Sequence, residues 1–251
     1  MAFFVLCTTF IIMKWACLLF FQLSIFFCFS QDVEVLSVSS FKHDYLVSEM
    51  QYLEDLNDTG KTQYIATLKI SGAHGNEIIG HWLNLLNMKA KRLGANLFYV
   101  ESYVEDELKA DLIVKMYFGG LNFITANTNK VDKNKIYIFN QSRSKNDTGS
   151  FYMNHKKITF DPKTFYTIDT KQFQLYHISS NGKKSTTVNE SFPKNGISVF
   201  YIIPNGKNSI IANNSPVIRK NGLSINFKKN KPLKCKYTFG RFAMEIYKSK
   251  E

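Results

Sequence analysis

Hydrophobic and polar residues alternate along 63–70, QYIATLKI, and this period of two predicts a β-strand with one buried face. The hydrophobic residues that share that face are Tyr64, Ala66, Leu68 and Ile70. Farther along, the period lengthens to that of a helix, and one helical face collects Ile79, Trp82, Leu83, Leu86, Ala90 and Leu93. Gly94 follows, as expected of a glycine just beyond a helix end. The pattern therefore predicts a strand followed by an amphipathic helix.

Two further strands are predicted after this helix, over 95–103 and 110–118. The polar run EDELK between them turns the chain, so we expect these two strands to pair antiparallel. The strand before the helix and the strand after it should run parallel, joined by a right-handed crossover. An early strand over 33–38 and a loop or short helix before residue 60 complete this half.

The second half changes to many short strand-like segments, separated by turn-forming residues such as NGK and PNGKN. The segments are 135–139, 150–153, 157–160, 164–168, 173–178, 197–204, 222–227, 233–239 and 241–247. Regular short strands are typical of a β-sandwich or barrel. The sequence therefore predicts an α+β chain, with a small mixed α/β domain over 31–128 and an all-β, sandwich-like domain over 132–251. The polar run 125–135 marks the boundary.

The first 30 residues are almost wholly apolar and contain Lys14 as their one charge. Read from Met13, they have the parts of a secretory signal: a short positive start, an apolar run and a cleavage box at 28–30. Cleavage would leave Gln31 first. We therefore expect an exported protein, in a periplasm, an outer envelope or the secreted fraction. The alternative is a membrane anchor formed by the same segment, left uncleaved.

Cysteine use agrees with export, because three of the four cysteines lie in the leader and the mature chain keeps only Cys235. No disulfide can form within that mature chain. Cys235 lies in the strand-like run KPLKCKYTF. We expect it to act as a small hydrophobic residue rather than as a nucleophile.

Charge also divides the chain. Residues 31–130 hold 9 Lys and Arg against 13 Asp and Glu, whereas residues 131–251 hold 22 against 7. A strongly basic second half favours an anionic partner. Because the leader indicates export, we expect that partner to be an anionic envelope polymer, a glycan or a membrane surface rather than nucleic acid.

The turn between the first strand and the helix, SGAHGNEIIG, places His74 and Glu77 three residues apart. It resembles the zinc-binding turn of the succinylglutamate desuccinylase/aspartoacylase metallohydrolases, relatives of the zinc carboxypeptidases. The resemblance implies a zinc ion bound by His74 and Glu77, with His155 or His177 as a third ligand. An activated water would then fill the open position.

The same resemblance implies a late general base, which would be Glu190 or Glu245. The arginine motif of that family, of the kind DLNR, does not occur in this sequence. The residues of the turn also fit a simpler interpretation without metal. In it Asn76 is the helix N-cap and Glu77 lies in the first turn, where a carboxylate suits the helix dipole.

A second resemblance concerns 64–103 and its run MKAKRLGANLFYVESY. This strand–helix–LGAN–strand element is similar to small bacterial envelope lipoprotein domains, which are not enzymes. Two hypotheses follow. The first is an exported, non-enzymatic envelope or secreted protein that binds or scaffolds through its β domain, with no cofactor. The alternative is a zinc-dependent amidohydrolase or carboxypeptidase-like enzyme that uses His74 and Glu77.

Overall fold

A computed structural model describes residues 32–40, 50–73, 78–106, 108–140, 148–184, 187–203 and 231–250. From Val33 onward the described residues belong to one compact unit. The strands of the first half are β1 Asp32–Val38, β2 Gln51–Tyr52, β3 Gln63–Ala73, β4 Leu97–Glu105 and β5 Lys109–Phe118. Those of the second half are β6 Lys135–Asn140, β7 Gly149–Met153, β8 Lys156–Phe160, β9 Thr164–Asp169, β10 Leu175–Ser179, β11 Thr187–Ser191, β12 Val199–Ile203, β13 Leu233–Cys235 and β14 Lys248–Lys250. The helices are a 3-10 helix Leu56–Lys61, α1 Ile78–Leu93, α2 Leu121–Asn129 and α3 Tyr237–Met244.

The strands form three sheets, which agree with the predicted α+β class. Sheet I has the order β1-β3-β5-β4-β2, sheet II the order β13-β12-β6-β9-β14, and sheet III the order β11-β10-β7-β8. In sheet I, β5 pairs antiparallel with β4 as predicted, and also antiparallel with β3. The strands β3 and β4 therefore run in the same direction, as predicted, but β5 lies between them.

Helix α1 lies where the hydrophobic periodicity predicted a helix, and it buries the hydrophobic face that the sequence predicted. Its residues Ile79, Trp82, Leu83, Leu86 and Ala90 all belong to the main hydrophobic core. The helix ends at Gly94, whose φ of 77° is the left-handed conformation that a side chain makes costly. The proposed N-cap Asn76 lies outside the described residues.

The polar run 125–135, predicted as the domain boundary, overlaps the end of helix α2, which the hydrophobic pattern did not reveal. The helix is mostly polar and exposed, but its Asn127 is buried. The Asn127 amide donates to the carbonyl of Tyr52 at 2.8 Å and accepts from the amide of Glu54 at 3.0 Å. We infer that this pairing at the end of β2, together with the packing of Phe123 and Ile124 against Leu53, Leu97 and Tyr117, fixes the helix.

Sheets II and III pack face to face through a second hydrophobic core, as a sandwich-like arrangement requires. Sheet II contributes side chains from β6 and β12, and sheet III contributes side chains from β7, β8 and β10. They are Ile136, Ile138, Phe151, Met153, Phe160, Tyr176, Ile178, Tyr201 and Ile203. The predicted strand 222–227 lies outside the described residues.

The prediction of a strand over 241–247 is wrong, because these residues lie largely in helix α3. The helix packs between sheets I and II. The ring of Phe242 meets that of Phe98 on β4 edge-on at 5.9 Å, and Gly240 lies against the ring of Phe200 on β12. A glycine at that point allows the close approach of the helix. The second half is thus rich in sheet without being all β.

The main core collects side chains from both predicted domains, including Phe98 from the first and Phe139, Phe200 and Phe242 from the second. The division into domains at 128–132 stays a prediction, since a shared core does not locate a boundary. Within the part of the chain that is described, no helix has the length and apolar character needed to span a membrane.

Candidate functional site

The outer face of sheet III is the most chemically distinctive surface of the described chain. Side chains alternate along its strands, so the neighbours of the core residues Phe151, Met153, Tyr176 and Ile178 point outward. Cross-strand pairs on this face join Tyr152 with Lys157, Ser150 with Thr159, Ser179 with Tyr152 and His177 with Asn189. The face is therefore polar and partly aromatic, in contrast with the hydrophobic face behind it.

The turn between β7 and β8 places a histidine at the edge of this face. Its two central residues, Asn154 and His155, have φ of 48° and 70°. Positive φ at both central positions is the signature of a type I′ hairpin turn, and Asn and His tolerate it better than most residues. His155 is exposed at the tip of this hairpin, directly before the exposed Lys156 and Lys157.

Two backbone contacts attach this hairpin tip to β10. The amide of Asn154 donates to the carbonyl of His177 at 2.9 Å, and the amide of His177 donates to the Asn154 side-chain oxygen at 2.9 Å. These bonds bring the two histidines together, and the centroids of the His155 and His177 rings lie 6.1 Å apart, with the rings tilted by 34°. The third-ligand candidates from the sequence are thus neighbours.

The half-buried ring of His177 is held in place by a third polar contact. Its Nδ1 lies 2.8 Å from Oδ1 of Asn189 on β11. An amide oxygen only accepts, so Nδ1 carries the hydrogen and donates it. The other ring nitrogen, Nε2, then keeps its lone pair and is free to accept a hydrogen bond or to bind a metal ion.

Positive charge at this site is not neutralised by neighbouring acids. Among the described residues, no carboxylate lies within salt-bridge distance of Lys156 or Lys157. The outer face of sheet I differs, because Lys115 pairs with Glu101 at 2.5 Å and Lys69 with Asp111 at 3.3 Å. Within the described chain, Lys156 and Lys157 therefore contribute positive charge that no carboxylate pairs with at the β7–β8 hairpin.

The loop between β10 and β11 brings further lysines to the same face. Gly182, with φ of 76°, lies so close to the Tyr152 ring that an added Cβ would be 3.3 Å from it. The exposed residues Lys183 and Lys184 follow directly. The loop is thus held against the sheet, and its lysines border the patch that contains Tyr152.

The remaining predicted site residues do not form a metal centre in the described chain. His74 and Glu77 lie outside the described residues, so the zinc hypothesis that rests on them stays a prediction. Glu190 accepts hydrogen bonds from Tyr201 and from Lys234, and Glu245 accepts one from Tyr52. No group of three or more His, Cys, Asp or Glu side chains suited to a metal ion occurs in the described ranges.

A buried polar network joins β2 to helix α3, and the sequence did not predict it. Arg241 Nε donates to Glu54 Oε2 at 3.0 Å, and its guanidinium lies 4.7 Å from the centre of the Tyr52 ring. Burial raises the pKa of Glu54 even though Arg241 opposes that effect. Burial, with the hydrogen bond to Glu245, also raises the pKa of Tyr52. Because these groups pair with one another, we interpret the network as structural.

Cys235 ends the short strand β13, which covers only the start of the strand predicted over 233–239, because helix α3 begins at Tyr237. It lies half-buried on β13, and its thiol is 3.7 Å from the carbonyl oxygen of Leu233. Burial raises the pKa of the thiol to about 12. The reactive thiolate is therefore scarce at neutral pH.

Comparisons with protein-family models, with curated proteins and with solved structures found no match to this chain.

Proposed function

We propose that this protein is an exported binding protein that holds an anionic polymer on the outer face of sheet III. The observation that carries the proposal is the exposed Lys157, which pairs with Tyr152 on this face and is preceded by Lys156 at the hairpin tip. Neither lysine has a carboxylate within salt-bridge distance in the described chain. Exposed lysines that are not paired internally remain available to anions. The exposed Lys184 borders the same patch.

The chemistry of this face favours an acidic glycan over the other anionic partners considered. The rings of Tyr152 and His177 are half-buried and offer flat surfaces on which the apolar faces of sugar rings can pack. Asn189 is exposed beside them, and its side-chain amide nitrogen can donate a hydrogen bond to a hydroxyl group. A membrane surface would use the lysines but gain little from these polar neighbours.

The strength of such binding should depend on salt. Each exposed contact between opposite charges contributes about 0–1 kcal/mol, so affinity requires several lysines acting together. Such contacts weaken as ionic strength rises, because the Debye length falls to about 8 Å at physiological salt. The apolar leader at 1–30 supports a location outside the cytoplasm, where acidic glycans occur, either as a cleaved signal or as an anchor.

The test is binding to heparin as a model acidic glycan, measured by titration calorimetry at two salt concentrations. We expect Lys156→Glu/Lys157→Glu to lower the affinity at least tenfold. The matched control is Lys91→Glu/Arg92→Glu, which reverses two adjacent exposed charges on helix α1. It changes net charge equally and should alter the affinity less than twofold.

Two results would overturn the proposal. One is the absence of measurable heparin binding by the parent protein at low salt. The other is an equal loss of affinity in both double variants, which would make net charge, and not the outer face of sheet III, the source of binding. Tighter binding to anionic vesicles than to heparin would assign the face to a membrane surface instead.

A further inference from the structure

We propose that His155 and His177 together bind a divalent transition-metal ion, of the range nickel, copper and zinc. The site needs neither His74 nor Glu77, and it does not depend on the glycan proposal. Its two ligands come from the β7–β8 turn and from β10, which the backbone contacts of Asn154 hold together. Solvent would fill the remaining positions around the ion.

The distance between the rings suits a shared ion. A metal–nitrogen bond of about 2.0–2.1 Å places each imidazole centre about 3.2 Å from the metal. Two rings on one ion then have centres about 4.5–6.4 Å apart, for bond angles from about 90° to 180°. The observed separation of 6.1 Å lies in that range. His155 is exposed at a hairpin tip, so its ring can turn to close the angle at little cost.

The surroundings of His177 match those of a metal-bound histidine. Such a histidine usually donates its second ring N–H to an oxygen acceptor, which fixes the tautomer and the orientation of the ring. Asn189 supplies that acceptor, 2.8 Å from Nδ1. The ring is also half-buried, so its position is set before any ion arrives.

The donor set selects the kind of ion. Calcium and magnesium prefer several oxygen ligands, whereas imidazole suits copper, nickel and zinc. The described residues around the pair supply nitrogen donors and no third acidic or histidine ligand. By the usual order of affinities, copper should bind more tightly than nickel or zinc.

The test is calorimetric titration of the protein with Ni(II), which does not oxidise thiols, followed by Zn(II). We expect His155→Asn and His177→Gln each to lower Ni(II) affinity at least tenfold. Asn at 155 tolerates the left-handed backbone of the turn, so the hairpin should persist. The control His81→Ala removes an exposed histidine of helix α1 and should change the affinity less than twofold.

A second readout separates metal ligation from loss of structure. Asn189→Leu removes the acceptor for His177 Nδ1 and should lower affinity by about 10–100-fold while His155 and His177 remain.

Binding should also weaken as pH falls, because protons compete with the metal for the imidazole nitrogens. Thermal unfolding of each variant establishes that it is folded. Nickel affinity that stays within twofold in folded His155→Asn and His177→Gln would overturn the proposal, as would an equal loss in His81→Ala.

Discussion

The hydroxyl of Tyr52 on β2 donates a hydrogen bond to Oε1 of Glu245, next to the end of helix α3, at 2.6 Å and across 193 positions of the chain. The Tyr52 ring also meets Phe98 edge-on and lies beneath the Arg241 guanidinium. A Tyr52→Phe substitution keeps the ring contacts and removes only the hydroxyl. We expect it to lower the free energy of unfolding by about 1–2 kcal/mol, because the Glu245 carboxylate loses its partner.

Urea unfolding followed by circular dichroism measures this change. The matched control is Tyr166→Phe on β9, a half-buried tyrosine whose hydroxyl has no hydrogen-bond partner among the described residues. It should stay within about 0.5 kcal/mol of the parent. Equal losses in the two variants would contradict a specific role for the Tyr52 hydrogen bond.

Loss of the Arg241 side chain should lower the free energy of unfolding more than loss of the Tyr52 hydroxyl. Its partner Glu54 is only 6% exposed, and an Arg241→Met variant would leave that carboxylate buried without an opposite charge. We expect a loss of about 3–5 kcal/mol at neutral pH. Adding Glu54→Gln should restore part of the lost stability, because the amide carries no charge to desolvate. A double-mutant cycle of the two substitutions measures the coupling energy between Arg241 and Glu54. Losses that simply add in the double variant would show that the two side chains act independently.

The pH dependence of Arg241→Met has a defined sign. Burial raises the pKa of Glu54, and removing Arg241 takes away the influence that lowers it. The folded state then binds a proton more readily than the unfolded state, so stability falls as pH rises between the unfolded and the folded pKa. We therefore expect the variant to lose less stability at pH 5 than at pH 8, relative to the parent at the same pH.

Helix α3 should tolerate no side chain at Gly240. An added Cβ would lie 2.0 Å from Cγ of Phe200, a fully buried ring stacked on Tyr137. We expect Gly240→Ala to cost about 1–3 kcal/mol or more through overpacking. Gly60→Ala is the control, since nothing lies within 4 Å of its added Cβ. Thermal unfolding of both variants checks this, and an unchanged melting temperature for Gly240→Ala would contradict the packing of α3 on β12.

Lys130, at the end of α2, should shape the acid stability of the protein. Its ammonium group hydrogen-bonds to Asp55 and Asp58, and these bonds lower the pKa of both carboxyl groups. When folding lowers the pKa of a carboxyl group, the protein gains stability at pH values above the pKa of that group in the unfolded chain. This stability is lost as the pH falls through the pKa of the group in the folded protein. We expect Lys130→Met to flatten the decline of stability from about pH 4 downward. Parallel curves of melting temperature against pH for the two proteins would argue against this.

The thiol of Cys235 should react slowly in the folded protein. Burial raises its pKa to about 12, so little thiolate exists at pH 8. We expect iodoacetamide to modify the peptide that contains Cys235 at least tenfold more slowly in buffer than in 8 M urea, as measured by mass spectrometry. Equal rates would mean that the thiol is accessible in the folded chain.

The sequence predicted best those elements whose hydrophobic periodicity lies within their own residues and does not depend on distant contacts. Periodicity located strand β3 and helix α1, although an irregularity in β3 between Tyr64 and Ala66 puts Ile65, and not Tyr64, in the main core. The failure at 241–247 has the opposite cause. RFAMEIY alternates well enough for a strand, but Phe242 and Gly240 lie against Phe98 and Phe200, which are far away in sequence. Tertiary packing decided that segment.

Tertiary contacts also decide the candidate site, so the sequence predicted it only in part. His155 and His177 were both named from the sequence, as alternatives for one ligand position. Their proximity depends on the pairing of β10 with β7, which places His177 beside the β7–β8 turn. Nothing in the local sequence of either histidine encodes that pairing. Strand β11 was missed for a related reason: its residues TVNES are polar, and it forms along β10.

The contact between β2 and helix α3 can form only late in biosynthesis, because its two partners lie far apart in the chain. At about 5–20 residues per second, the 193 residues between Tyr52 and Glu245 take about 10 to 40 seconds to synthesise. For the part of that interval between the synthesis of Phe98 and that of Phe242, the face of Phe98 that Phe242 will cover remains open to other chains. Until α3 emerges, the nascent chain therefore carries an uncovered apolar surface that can bind to other unfolded chains.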